Sequence, residues 1–187
     1  MNGPANHVLE TDRLRLSPIQ AGDEELLWPH VADERITQFM AWDPHPDQKR
    51  TREFVNAERS RLAEDRGITW MILEGDTFCG IISLIALQRT HRSLVYNKAE
   101  LAYWLCPECQ GRGLMTEAAE AVIGFCEQEL GLNKLCVSHF GPNAASERLI
   151  KRLGFRCVGT QQREFCKAGT WYDHVLYEKL LTPPAAD

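Results

Sequence analysis

Apolar and polar positions alternate almost from the start of the chain. In RLRLSPIQ, Leu14 and Leu16 alternate with polar partners and Ile19 extends the run, which predicts a first strand. AGDEELLWPHVAD opens on acidic residues and carries Leu26, Leu27 and Val31 at helical spacing, so a helix begins near Asp23. Pro44 and Pro46 then forbid regular helix in ITQFMAWDPHPDQ, and a second amphipathic helix follows over about 50 to 65. Three strand-like runs come next: ITWMILEG, TFCGIISLIAL and KAELAYWLC. Gly75-Asp76 joins the first two as a hairpin. A long helix over 113 to 130 places Leu114, Ala118, Ala121, Val122 and Phe125 on one face. KLCVSHFG reads as a strand, PNAASERLIKRLGF as a helix ending at Gly154, and the remainder as two strands around Lys167-Ala168-Gly169. The order β-α-α-β-β-β-α-β-α-β-β predicts an α/β (α+β) fold, a mixed central sheet flanked by helices.

Composition narrows the class. The 187 residues suit a single domain over 1–187, with TPPAAD at 182–187 as a flexible tail. Hydrophobic residues at 44% and charged residues at 25% are the mixture of a globular protein with a real core. The net charge of -5, without a basic block, argues against nucleic acid as a partner. No apolar run approaches twenty residues, and MNGPANHVLETDR has neither a basic n-region nor an apolar h-region; the expectation is a cytoplasmic protein with no membrane partner. Seven cysteines, most of them in apolar stretches, read as reduced, buried thiols. Cys106-x-x-Cys109 with Cys136-x-x-His139 has the spacing of a zinc site, but residues three apart on a strand point to opposite faces, so no metal is expected.

The chemistry concentrates in CQGRGLMTEA. A strand that ends in Gly111-Arg112-Gly113 and feeds directly into a helix leaves the first-turn N–H groups unpaired, and glycine allows a backbone to approach a phosphate closely. Arg112 and the helix dipole add positive potential, and the Thr116 hydroxyl, beside Glu117, adds a donor. Neither the nucleotide P-loop nor the dinucleotide fingerprint fits, since no Gly-Lys-Ser/Thr follows and a third glycine is missing.

Gln110-Gly111-Arg112-Gly113-Leu114-Met115 resembles the Gln/Arg-x-x-Gly-x-Gly/Ala signature of the GCN5-related N-acetyltransferase (GNAT) superfamily, departing from it at Met115. LETDRLRLSPI, AELAYWLCPECQGRGLMTEA, PNAASERLIKRLGF and GTWYDHVLYE, in that order over nearly the whole chain, resemble its RimJ/RimL-like branch. The resemblance implies a sheet splayed into a V between residues 98 to 105 and 134 to 140. It also implies acetyl-CoA as donor, its pantetheine arm pairing with the backbone after Tyr103 and its pyrophosphate on the glycine loop. Trp104, Leu105, Cys106, Asn143 and Ser146 complete the implied cofactor contacts, with a backbone N–H of Trp104 or Leu105 at the oxyanion.

Acetyl transfer to an amine needs a base, and a protein α-amine, with a pKa near ~8, asks less of it than a lysine near ~10.4. Glu100, inside the apolar strand AELAYWL, and Glu164, in QQREFCKAG, compete for that role, with the resemblance favouring Glu164. Ile150 stands where many members of the superfamily carry a proton-donating tyrosine; the resemblance instead puts Ser146 near the sulfur. The same Asn143-x-x-Ser146 pattern also reads as a plain helix cap. Trp42, Asp43, His45, Tyr103, Trp171, Tyr172 and Asp173 are expected at an aromatic and acidic acceptor pocket. The expected activity is acetylation of a peptide or protein N-terminal α-amine by direct transfer in a ternary complex. A small-molecule or antibiotic amine is the alternative acceptor, a non-catalytic coenzyme A sensor the alternative of another class. A homodimer fits the hydrophobic rim of such a sheet.

Overall fold

The computed structural model describes residues 7–182, so only Thr182 of the expected tail falls within the described part. A single eight-stranded sheet in the order β1-β2-β3-β4-β5-β6-β8-β7 forms its centre. The strands are β1 Leu9–Glu10, β2 Arg15–Pro18, β3 Ile68–Glu74, β4 Thr77–His91, β5 Leu94–Leu105, β6 Lys134–Phe140, β7 Arg156–Lys167 and β8 Thr170–Leu180. The helices are α1 Glu24–Val31, α2 Glu34–Thr37, α3 Gln48–Ala63, α4 Leu114–Gln128 and α5 Ala144–Arg152.

The buried runs explain the layering. β3 and β4 are apolar on both faces, with Trp70, Ile72, Ile82 and Leu84 fully buried, because helices cover the sheet on each side. α4 buries Leu114, Met115, Ala118, Val122 and Cys126 against the sheet, a wider stripe than the one read from spacing, while Ala121 stays at its border. α3 begins at Gln48 rather than near 50, because the Asp47 carboxylate accepts from the Arg50 N–H at 2.8 Å and caps the first turn. β1, too short to show a period, and α2, inside a segment expected to be irregular, are additions. β4 and β5 run past their apolar segments to His91 and from Leu94, because the far end of this hairpin is exposed and shows no one-sided pattern.

Every neighbouring pair of strands is antiparallel except β5 and β6, which are parallel and joined through α4. Their register runs only from Lys98↔Lys134 to Leu101↔Val137. Both strands continue, to Leu105 and Phe140, without pairing, so the sheet opens into a V there. On the other side of β5, Gly80 permits an unusually close approach: a Cβ at that position would lie 2.2 Å from the Trp104 carbonyl oxygen and 2.8 Å from the Leu105 Cα.

Candidate active site at the opening of the sheet

The parity of β5 decides which backbone groups face the opening. The Cys106 N–H donates to Cys79 O at 2.8 Å, and alternate residues of a strand direct their N–H to the same side, so the Trp104 N–H is also turned toward β4. Tyr103 and Leu105 therefore present their N–H and C=O to the V. Of the two oxyanion donors expected, Leu105 is the one so placed. Its carbonyl accepts from Gln110 Nε2 at 3.2 Å.

At the end of β5 a 3-10 turn, Pro107–Cys109, leads into the glycine loop. Gly111 (φ 73°) and Gly113 (φ 79°) both adopt the left-handed backbone conformation, and an added Cβ at Gly111 would meet nothing within 4 Å. That combination bends the chain sharply and leaves open space in front of it. Gly113 is the N-cap of α4 and offers no side chain, so the first-turn N–H groups carry no side-chain cap. Leu114 and Met115 point into the core, which disposes of the extra side chain at 115. Thr116 is half-buried in the same turn.

Two arginines flank this loop. Arg112 is drawn to Glu74, at 2.8 Å. Arg13, not singled out from the sequence, donates to the Arg112 carbonyl at 3.2 Å and to Glu117 at 2.7 Å. Hydrogen bonds from Thr11 and Arg13 hold the Glu117 carboxyl below the usual range despite some burial. A positional signal for Arg13 existed only in its partner, about a hundred residues away.

Cys106 departs from the expected cofactor contacts. Its N–H is used by β4, its side chain is buried, and its thiol lies 3.3 Å from His30 Nδ1; burial pushes that thiol up to about 12. It is an inert core group turned away from the V.

Across the opening, Asn143 Oδ1 accepts the Ser146 N–H at 3.1 Å and caps α5, leaving the Ser146 hydroxyl 2.9 Å from the Tyr103 hydroxyl. Burial pushes the Tyr103 phenol up to about 12, so it stays protonated at neutral pH. Tyr103, expected among acceptor contacts, thus links the cavity wall to Ser146. Glu100 is half-buried where β5 and β6 still pair, opposite Cys136, and its Oε1 accepts from the Ser138 hydroxyl at 3.3 Å. Alternation puts it on the same face as Ala102 and Trp104.

That face carries a cavity of about 260 Å³, walled by Val31, Met40, Trp42, His45, Phe54, Ile81, Ala102 and Trp104 among others. Trp104 is 6% exposed, and its indole N–H has no hydrogen-bond partner among the described residues. The cavity's carboxylate is Glu58, 5% exposed, paired with Arg61 and accepting from the Thr69 hydroxyl at 2.6 Å. His45 Nδ1 lies 3.0 Å from the Thr51 hydroxyl, and burial, with the Arg50 charge adding to it, holds the imidazole below its usual value.

The expected acceptor pocket is only partly assembled. Trp42 and His45 line the cavity, and Asp43 lines a shallower hollow outside it that shares Trp42, His45 and Arg50. Trp171 is 61% exposed on the β7–β8 hairpin, Tyr172 stacks on Phe140, and Asp173 accepts from the Arg163 N–H at 2.9 Å; none of the three lines the cavity. Glu164 falls where the β7–β8 register slips between Gln161 and Phe165, and it is exposed. Its placement came from the resemblance, and the bulge offsets the hairpin positions on which such a match is counted.

Lys167, missed by sequence reasoning, fastens that hairpin to the cavity's outer wall. Its ammonium donates to the carbonyls of Thr37, Met40 and Trp42 at 2.8, 2.7 and 2.8 Å.

Three comparisons bear on this arrangement. The model of the Acetyltransferase (GNAT) domain matches residues 13–156. YoaA of Bacillus subtilis (strain 168), an uncharacterized N-acetyltransferase, is 29% identical over 172 residues, covering 91% of this chain and 94% of its own. The [ribosomal protein uS5]-alanine N-acetyltransferase of Escherichia coli (strain K12) is 32% identical over 88 residues, 47% of this chain and 45% of its own. Among solved structures, RimL, a ribosomal L7/L12 alpha-N-protein acetyltransferase in complex with coenzyme A, superposes with a TM-score of 0.86 at 18% identity, over 94% of this chain and 98% of that one.

Proposed function

Because the chain belongs to the GNAT acetyltransferase family and is an acyl-CoA N-acetyltransferase, we propose that it acetylates the N-terminal α-amine of a peptide or protein with acetyl-CoA as donor, by direct transfer in a ternary complex. The observation that carries this reading is the end of β5–β6 pairing at Leu101 and Val137, which joins the glycine loop at one end of the opening to the cavity on the other face. The uncapped start of α4, the open space before Gly111 and the nearby arginines fit a pyrophosphate. Acetyl-CoA supplies the activated acyl group. The chain's own residues do the rest.

In this reading Glu100 is the base: its position on the cavity's face, at the foot of the opening, supports its taking a proton from the incoming amine. The Leu105 N–H faces the V and stabilises negative charge developing on the carbonyl oxygen. Ser146, with the protonated Tyr103 behind it, supplies a proton to the departing thiolate. Exposure on a bulge weighs against Glu164, the base favoured on the sequence.

Thiol release from acetyl-CoA, measured with α-amine peptides beside polyamines and aminoglycosides, tests the acceptor class. Release with peptides is expected; release with aminoglycosides alone would move the enzyme to drug modification. Glu100→Gln should lower kcat by about a hundredfold, and Ser146→Ala by less, with acetyl-CoA affinity preserved in both. A normal rate in Glu100→Gln together with a collapse in Glu164→Gln would restore Glu164 as the base.

A further inference from the structure

With the cavity read as the acceptor's seat, its charges choose among amines. Its walls are mainly aliphatic and aromatic, with Arg50, Glu58 and Arg61 as the charged residues among them. Glu58 is the one carboxylate among them, and it is already committed to Arg61 and Thr69, whose hydroxyl it shares with Ser83 at 2.8 Å. Apart from Glu100 at the foot of the opening, where the reacting amine itself arrives, a cationic side chain entering here finds no free anion among the lining residues. It meets Arg50 instead, which lines both the cavity and the outer hollow. The close acid of Arg50 is Glu53, 3.6 Å away with both side chains more than half exposed, a pair that solvent screens heavily. Asp43, the acid of the outer hollow, sits 3.6 Å from Lys167 and is itself largely in water. His45 is neutral at pH 7, since its imidazole value is held down by burial.

The unpartnered indole N–H of Trp104 adds a second requirement. Buried donors are almost always bonded, and this one is closed off in the free wall; a turn of the indole would open it to a ligand's oxygen acceptor, which nitrogen and methylene alone do not supply. A peptide carries such a carbonyl directly beside its α-amine; an alkylamine or polyamine carries none.

We infer that the cavity receives an uncharged, apolar first side chain of a peptide, and that Arg50 turns cationic acceptors away. This deepens the α-amine reading and depends on it. Selectivity built this way works by penalising the wrong ligand as well as by fitting the right one.

The test compares kcat/KM for two tetrapeptides with uncharged side chains at positions two to four and a leucine or a lysine as first residue, with 3-methylbutylamine and spermidine beside them, in the wild-type protein and in Arg50→Glu. The leucine peptide should exceed the lysine peptide by at least about tenfold, with 3-methylbutylamine and spermidine below both. Arg50→Glu should shrink or invert the leucine-to-lysine ratio while acetyl-CoA affinity stays within about twofold, because the Arg50 guanidinium pairs with Glu53 on its own helix and not with the glycine loop. Equal turnover of the two peptides, or a ratio unmoved by Arg50→Glu, overturns the inference and leaves α-amine acetylation standing. A 3-methylbutylamine rate matching the leucine peptide removes the carbonyl requirement and with it the peptide part of the inference. Turnover of spermidine alone, or of none of the four, defeats both the inference and the peptide reading.

Discussion

Replacing Lys167 by methionine removes a cation that serves three backbone carbonyls while keeping most of its aliphatic length. The three bonds, from 2.7 to 2.8 Å, reach the segment that follows α2 and carries Met40 and Trp42 into the acceptor cavity. A hydrogen bond to a charged group contributes about 1.5–3 kcal/mol, but part of that is regained here, because Ala41 and Asp43 on the same segment are exposed and water can reach it. The Lys167 side chain is itself 20% exposed, which lowers the estimate further, to about 2–4 kcal/mol for the latch as a whole. That sum falls on a local segment rather than on the core. The expected result is a segment that opens without global unfolding: a tenfold or larger rise in KM for the responsive peptide, a small fall in kcat, and unchanged acetyl-CoA affinity by calorimetry. Hydrogen exchange over residues 38–43 should accelerate in parallel. An acceptor KM within twofold of wild type would refute the assignment of Lys167 as the brace of that wall.

Two glycines should fail in opposite ways. Gly80→Ala drives a methyl against the Trp104 carbonyl and the Leu105 backbone, so calorimetry should show a Tm drop of about 4 °C or more, from an overpacking cost of about 1–3 kcal/mol. Gly113→Ala meets only Arg13, 3.8 Å away, so its cost is the left-handed backbone, about 1 kcal/mol, and its main effect should be weaker acetyl-CoA binding by calorimetry; unaltered affinity would remove the glycine loop from the donor site. His30 and His45 are both held by burial below the unfolded imidazole value of about 6.5. Below that pH the unfolded chain binds protons that the folded one refuses, so Tm should fall as pH drops from about 7 through 6.5, and His45→Gln should flatten the fall; an unchanged pH profile in that variant would show that His45 makes no contribution.

Long apolar segments were legible in the sequence. α4 announces itself because burial of one face leaves a fixed spacing of apolar residues, β3 because its apolar run is unbroken and ends at a turn, and Gly111-Arg112-Gly113 marks the start of α4 because few other residues adopt that backbone. What escaped reading depends on partners far along the chain. Arg13 finds Glu117, Lys167 finds Thr37 to Trp42, and Glu58 finds Thr69 only after α3 folds onto β3. Glu164 shows the converse failure, since a resemblance counted along the hairpin cannot see the register slip in β7 that leaves it on a bulge. Trp171 and Tyr172 have the composition of a pocket, yet the hairpin sets one in water and the other against Phe140.

The four-position seam between β5 and β6 makes the two halves of the sheet a hinge held by few bonds, with two raw strand edges inside the molecule rather than at its rim. Anything lying along those edges acts as a clasp, and its binding energy is drawn into the stability of the whole chain. A ligand at a hundredfold excess over its Kd adds about 2.7 kcal/mol to the folded state. The enzyme's melting temperature is thereby a gauge of how full its active site is, and the chain is at its most fragile between turnovers.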